Sequence, residues 1–427
     1  MNLAGLAPDK SPPIEAPLGL FYLMPVFLGL AGLALAWQGD QVLSSRWNPA
    51  ALAATHFVVL GALAPVMCGA LLQIAPVLLG APYSRPGLTA GVTVGCLGFG
   101  SLLVGSGFLF DGRGLLLGGG LVAGTGLLVF LAASLHALAG AAGRSPTLWT
   151  VRLAVLALAV TVGMGLTLVA ARFGLLAVPD YPLWVDTHAT WGLAGWLGLL
   201  LAGIGMEIIP LFYVAPAFKS GTKRLLSLGV FGLLLMTGLG LLLQAPSWLR
   251  IAVGALFLVH LSFNIGAMWH EQRRLRQRRD ASLWLWQLGH VAVYAAFVVW
   301  LLGDAQSVVG VLLLGGALSF VIGSLVKIVP FLSWLDLQQR RLAGGHSQVA
   351  LPRLRDLLPD GLAYAIAISL TAALVAVSMG AVLPLSAHLG GGFLIACAAL
   401  LAHALFGAAR LRQSVIRRLD GAAGNTG

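Results

Sequence analysis

The chain has 427 residues, of which 59% are hydrophobic and 9% charged, and its mean hydropathy is +0.94. A soluble protein of this size carries about 25% charged residues, so the composition excludes a soluble enzyme and describes an all-α polytopic membrane protein. The formal net charge of +11 sits in short segments between apolar runs, which is the pattern of a topology signal and not of a nucleic-acid surface.

Apolar runs long enough to cross a bilayer, about 20 residues each, fall at 16–37, 49–80, 88–110, 114–141, 148–176, 183–216, 224–243, 248–270, 284–303, 306–333, 360–384 and 389–411. One set of connecting loops carries Arg85, Arg144, Lys219, Lys223 and Arg224, the run EQRRLRQRRD from Glu271, DLQQRRL from Asp336 with Arg353 and Arg355, and Arg410, Arg412, Arg417 and Arg418. The other set holds Asp40, Arg46, Asp111, Arg113, Asp180, Asp186, Arg250 and Asp304. The excess of Lys and Arg predicts that the first set and both termini face the cytoplasm of a bacterial-type inner membrane. The polar leader with Pro12 and Pro13 argues against a cleavable signal peptide. Tryptophans such as Trp37, Trp47, Trp184, Trp269, Trp284 and Trp334 cluster at span ends, as an interfacial belt does. Cys68, Cys96 and Cys397 lie inside apolar runs without a CxxC pair, and read as small buried hydrophobes. Met67 and Met206 read as core packing.

A polar residue, Ile, any residue and Pro recur on the second, sixth and tenth spans, as Gln73 to Pro76, Glu207 to Pro210 and Lys327 to Pro330. Four spans separate each occurrence. The chain therefore reads as one transmembrane domain, 1–427, of three pseudo-symmetric four-helix repeats at about 16–141, 148–270 and 284–411. A weaker echo places His136, His260 and His403 on the fourth, eighth and twelfth spans. His56 and His188 precede Pro76 and Pro210 by about 20 and 22 residues, which is roughly 30 Å of helix, a full bilayer core. Each histidine is thus expected near the outer surface and each proline near the inner one. Pro65 is mid-span and predicts a kink.

The stretch from Thr55 to Pro82, THFVVLGALAPVMCGALLQIAPVLLGAP, resembles the second helix of the heme–copper oxidase catalytic subunit. That family also has twelve helices in three arcs of four. The resemblance implies that His56 is an axial ligand of a b-type heme. The stretch THATWGLAGWLGLLLAGIGMEIIP is similar to the family's sixth helix, and implies copper ligation by His188. The departures are specific. The tenth span has Gly310 where the family has a histidine, and the seventh has no histidine pair. A complete oxygen-reducing centre is not expected. The closer resemblance is to divergent twelve-helix relatives of the NnrS type, which implies heme, copper, respiration and nitric oxide stress.

An imidazole facing lipid is costly, so His56 and His188 are expected to face the protein interior. His388 and His188 are the candidate partners of His56 in a bis-histidine site. Asp186 is a candidate to orient His188. Glu207 and Lys327 share one repeat position, so an ion pair between them with Gln73 nearby is expected, as a latch or a proton entry point. His290 with Tyr294, and the trio His136, His260 and His403, read mainly as packing. His346 reads as a solvated loop residue.

Three functions compete. The first is a redox or nitric-oxide-related membrane protein binding heme b and copper, with a respiratory-chain or cytochrome partner and with membrane lipids around it, and possible oxidoreductase activity. The second is a non-redox assembly or stabilising subunit for a copper or respiratory complex. The third is a proton-coupled transporter, against which the threefold repeat counts, because transporters are commonly built from two halves.

Overall fold

The computed structural model describes residues 10–275, 279–303, 305–345 and 348–424. His346, Asp304 and the middle of the basic run, Arg276 to Arg278, lie outside the described residues. Twelve helices are long and apolar enough to cross a membrane, and no strand occurs among the described residues. The spans are α1 (Glu15–Val42), α2 (Pro49–Leu79), α3 (Pro86–Leu109), α4 (Arg113–Ala139), α5 (Pro146–Arg172), α6 (Tyr181–Tyr213), α7 (Ser220–Leu242), α8 (Pro246–Gln272), α9 (Ala281–Leu302), α10 (Gln306–Ala343), α11 (Asp360–Met379) and α12 (Pro384–Gly421). The protein is an all-α polytopic membrane protein.

Local chemistry explains where the spans begin. Proline stands in the first turn of α2, α3, α5, α6 and α8, where a missing N–H costs nothing. Asn48, Ser145, Asp180 and Asp280 accept from the first free amides of α2, α5, α6 and α9, at 2.8, 3.1, 3.1 and 2.9 Å. α2 ends at Gly80, whose φ of 64° is open to glycine, and the Ala81 amide then bonds back to the Ala75 carbonyl at 3.0 Å.

The chain divides into two compact units, Met1–Leu20 with Met67–Arg278, and Phe21–Val66 with Arg279–Gly427. In the first, α3 and α4 lie close together because Gly100, Gly107 and Gly119 leave no side chain between them; a Cβ on Gly100 would meet the Ala123 backbone. Tyr83, just after α2, hydrogen-bonds the Ser134 hydroxyl of α4 at 2.9 Å. Burial there pushes the Tyr83 phenol above its usual range.

In the second unit α1 packs on α12 through Gly32 and Gly391. A Cβ on Gly391 would collide with the Ala36 backbone, and one on Gly32 would meet the Gly391 carbonyl. α10 is longer than the apolar run that predicts it. Its 38 residues span about 57 Å at 1.5 Å per residue, against a hydrocarbon core of about 30 Å. α12 overruns its apolar run too. The two extensions pack on each other through Leu337, Val415 and Leu419, and Arg412 Nε bonds Asp336 Oδ2 at 2.8 Å with both side chains largely buried. Between α10 and α11, the Arg353 guanidinium beside Asp356 holds its carboxyl below the usual carboxylate range.

Candidate functional site

His56 is the last α-helical residue before a π-helical segment, Phe57–Leu63, inside α2. A π turn closes onto the carbonyl five residues back and widens the helix by one residue. Pro65 gives a cause, since it has no N–H for the Gly61 carbonyl. The kink expected at Pro65 takes this form. α6 carries a second π segment, Trp191–Gly198, starting three residues after His188. No proline lies in it, but Gly195 and Gly198 do; side chains there would strike Ala157 and His260. α10, which has Gly310 at the corresponding distance from its repeated proline, is α-helical throughout. The two spans with a histidine about 20 residues before the repeated proline thus have the π widening, and their counterpart without one does not.

Both imidazoles are anchored by main-chain carbonyls. His56 Nδ1 lies 2.7 Å from the Leu52 carbonyl. His188 Nδ1 lies 3.0 Å from the Thr161 carbonyl of α5, with its ring over Gly165. A carbonyl only accepts, so Nδ1 carries a proton, and in the neutral imidazole Nε2 is the nitrogen with the lone pair. That is how histidines that bind a metal or heme iron are usually held. The acceptor on His188 Nδ1 is thus Thr161, where the sequence suggests Asp186.

His388 is engaged differently. Its Nδ1 donates to the Ala36 carbonyl at 2.9 Å, and its Nε2 accepts from the Asp40 amide at 3.4 Å with the Asp40 carboxylate 3.5 Å away. Both ring nitrogens tie α12 to α1, which leaves His388 no lone pair to offer as the partner of His56. His136 and His403 are exposed. Their counterpart His260 turns inward against Gly198, with Nδ1 bonded to the Leu256 carbonyl at 2.9 Å. His290 is fully buried between Trp286 and Phe320. Met67 and Met206 are buried in the core, as expected. Among the described residues no three His, Cys, Asp or Glu side chains gather as a metal site would require.

The repeated polar position has a consistent geometry. Gln73 Nε2 donates to the Ser11 hydroxyl ahead of α1 at 3.2 Å. Glu207 accepts from the Thr147 hydroxyl in the first turn of α5, and pairs with Lys223 at 2.5 Å. Lys327 pairs with Asp280, the N-cap of α9, at 3.1 Å. In each repeat the second helix holds the start of the first. This replaces the expected Glu207–Lys327 pair: Glu207 takes Lys223 and Thr147, and Lys327 takes Asp280.

The second unit contains a cavity of about 160 Å³ between α1, α2, α10, α11 and α12. On α2 it is lined by Ala51, Ala54, Thr55 and Val58, and on α10 by Gly310 among others. At 3.6 residues per turn these α2 positions form one face, and His56 falls on the other side of the helix. No imidazole lines the cavity, so it is not where His56 would hold a heme.

His270 escapes the sequence reading because it borders the basic run. It is buried, stacks on Phe218 with ring centroids 3.8 Å apart, and bonds the Pro216 carbonyl at 2.8 Å. Its visible signal is only the aromatic neighbour Trp269. No protein-family model matches the chain, and no curated protein matches it in sequence.

Proposed function

We propose that this membrane protein, of heme–copper oxidase ancestry, binds heme b with His56 as an axial ligand and serves a redox or nitric-oxide-related role short of complete oxygen reduction. The observation that carries this reading is the coincidence of histidine, carbonyl-anchored Nδ1 and π widening in α2 and in α6, with none of the three at Gly310 of α10. π segments are rare and concentrate at functional positions. His188 is the second ligand-bearing position. Copper fits the described residues less well than heme, because His188 has no pair of further donors gathered around it, whereas heme iron takes one or two imidazoles.

When bound, the heme would supply electron transfer or a coordination position for a diatomic gas. The chain's share is narrower. Leu52 and Thr161 fix the tautomers of the neutral imidazoles, with the lone pair on Nε2, and the apolar spans exclude water. The charge asymmetry of the loops supports an inner-membrane location with both termini in the cytoplasm.

The test is an optical spectrum of the detergent-purified protein, oxidised and dithionite-reduced, with a pyridine hemochrome assay. Heme b near one per chain, lost in His56→Ala, is the expected result. A folded, colourless protein would overturn the reading. It would favour the second one, a non-redox assembly or stabilising subunit, for which the observation is the vacant tenth-helix position at Gly310. The transporter reading is weakened by the engagement of Gln73, Glu207 and Lys327 in contacts at helix starts.

A further inference from the structure

α12 has one continuous outward face. Leu385, Leu389 and Phe393 are exposed on it, followed by Ala396 and Ala399, and then by His403, Phe406, Arg410, Gln413 and Arg417. The steps are three or four residues throughout, so all of them stand on one side of the helix. Over the apolar run this side meets lipid. Phe406 is fixed there by a stack on Tyr22 of α1, with ring centroids 5.2 Å apart. One turn later the chemistry changes from apolar to cationic, and the face does not turn away.

The arginines of α12 are sorted by direction. Arg412 points inward and is taken by Asp336. Arg410 and Arg417 point outward, and neither has a hydrogen bond or ion pair among the described residues. Two carboxylates of this unit are engaged elsewhere, Asp336 by Arg340 and Arg412 and Asp356 by Arg353. Asp420 is exposed about one turn beyond Arg417. Side chains on a helix lean toward its N-terminus. On α12 that is toward the apolar run, so both guanidinium groups are directed back to the bilayer. His403 is exposed and also lacks a hydrogen-bond partner among the described residues. It lies about 10 Å nearer the bilayer centre than Arg410. An imidazole facing hydrocarbon is costly unless something there bonds it.

Read from the end of the helix inward, this face offers two cations with an amide between them, then a ring N–H, then bare apolar surface. A diacyl phospholipid presents its groups in the matching order of phosphate, glycerol ester carbonyls and acyl chains. We infer that this face of α12 is a binding site for an anionic phospholipid of the surrounding bilayer. Its head group spans Arg410 to Arg417, its ester carbonyls meet His403, and one acyl chain lies along Ala399, Ala396 and Phe393. The planar fork of N–H donors on arginine suits phosphate oxygens. A zwitterionic head would bring its own ammonium against two guanidinium groups, so the charge of the face selects an acidic lipid. The site does not depend on the heme reading, which rests on α2 and α6.

The experiment uses the full chain in mixed micelles with equal amounts of dioleoyl phosphatidylglycerol and dioleoyl phosphatidylcholine, and native mass spectrometry counts the lipid retained. Preferential retention of phosphatidylglycerol is expected. The double variant Arg410→Gln/Arg417→Gln should cut that preference about tenfold or more. Arg224→Gln/Arg418→Gln removes the same charge from exposed positions off this face, and should leave the preference intact. No preference in the wild type, or an equal loss in the two double variants, would overturn the site, the second result by showing a diffuse effect of surface charge. His403→Leu should weaken dioleoyl phosphatidylglycerol about threefold and leave its ether-linked analogue unaffected. Equal effects on the two lipids would overturn the placing of the ester carbonyls at His403.

Discussion

Lys327 on α10 lies 3.1 Å from Asp280, the residue that caps α9, so that one carboxylate both accepts the Leu283 amide in the first turn of a helix and holds the helix that follows it. Gln73 does the equivalent for Ser11 and Glu207 for Thr147. The chemistry differs in each repeat, an amide on a hydroxyl, a carboxylate on a hydroxyl and an ammonium on a carboxylate, while the place is kept. Lys327→Met should cost only about 0.5–1 kcal/mol, because the pair is partly exposed and the cap survives. Asp280→Ala removes cap and pair together and should cost about 1–2 kcal/mol more. Equal thermal shifts for the two variants in detergent would show that the cap adds nothing.

Glu207 is the most heavily used of the three. Lys223 is 12% exposed at its side chain, so its charge depends on this partner. Glu207→Gln should preserve the Thr147 hydrogen bond and strand the ammonium, at about 2–3 kcal/mol. Thr147→Val, which deletes one neutral donor and leaves the ion pair, should cost about 1 kcal/mol. The order of these two losses in a denaturation series checks which contact dominates.

The twelve spans were legible because hydrocarbon demands an unbroken apolar run, and the sequence shows one for each helix. The C-terminal extensions of α10 and α12 were not, because beyond the apolar run only one face stays apolar, with Leu337, Val415 and Leu419 spaced among arginines. The repeat showed that Gln73, Glu207 and Lys327 are equivalent. It could not show whether equivalent residues meet one another or each reach the preceding helix, since periodicity carries no direction around the helix. His56 and His188 stood out by spacing, but the π segments beside them did not, because in α6 no proline announces one. His388 looked available, and its carbonyl partner Ala36 is far away in sequence.

The contact of α1 with α12 gives a packing prediction. Gly391 has no room for a methyl group against the Ala36 backbone, and backbone cannot swing aside as a side chain can. Gly391→Ala should cost about 1–3 kcal/mol, the usual range for overpacking. Gly392→Ala, one position along with open space around it, should be neutral or slightly stabilising, since alanine is the better helix former. Thermal midpoints of the two variants separate packing from propensity.

Val214, directly after α6, adopts φ 52° and ψ 51°, a conformation that is unfavourable for a β-branched residue. The Leu275 amide bonds its carbonyl at 3.1 Å, which holds the turn in place. Val214→Gly removes the Cβ penalty of about 1–2 kcal/mol and adds back part of it as chain entropy. A small net gain, up to about 1 kcal/mol, is expected. A loss on denaturation would mean that the Val214 side chain contributes more than its backbone costs.

Pro65 offers a test of the α2 geometry that leaves every candidate ligand in place. With no N–H at Pro65, the Gly61 carbonyl has no α-type donor, and the π segment Phe57–Leu63 absorbs the extra residue. Pro65→Ala restores the donor and lets the ordinary ladder close. The helix on the N-terminal side, His56 included, would then turn by about 100° relative to the rest of α2, one residue's rotation. If His56 holds a heme, Pro65→Ala should lower heme content or shift the reduced-state bands while the protein stays folded by circular dichroism. Unchanged heme content and spectrum would mean that the π segment has no part in aiming His56, and would leave its matching occurrence in α6 without a functional explanation.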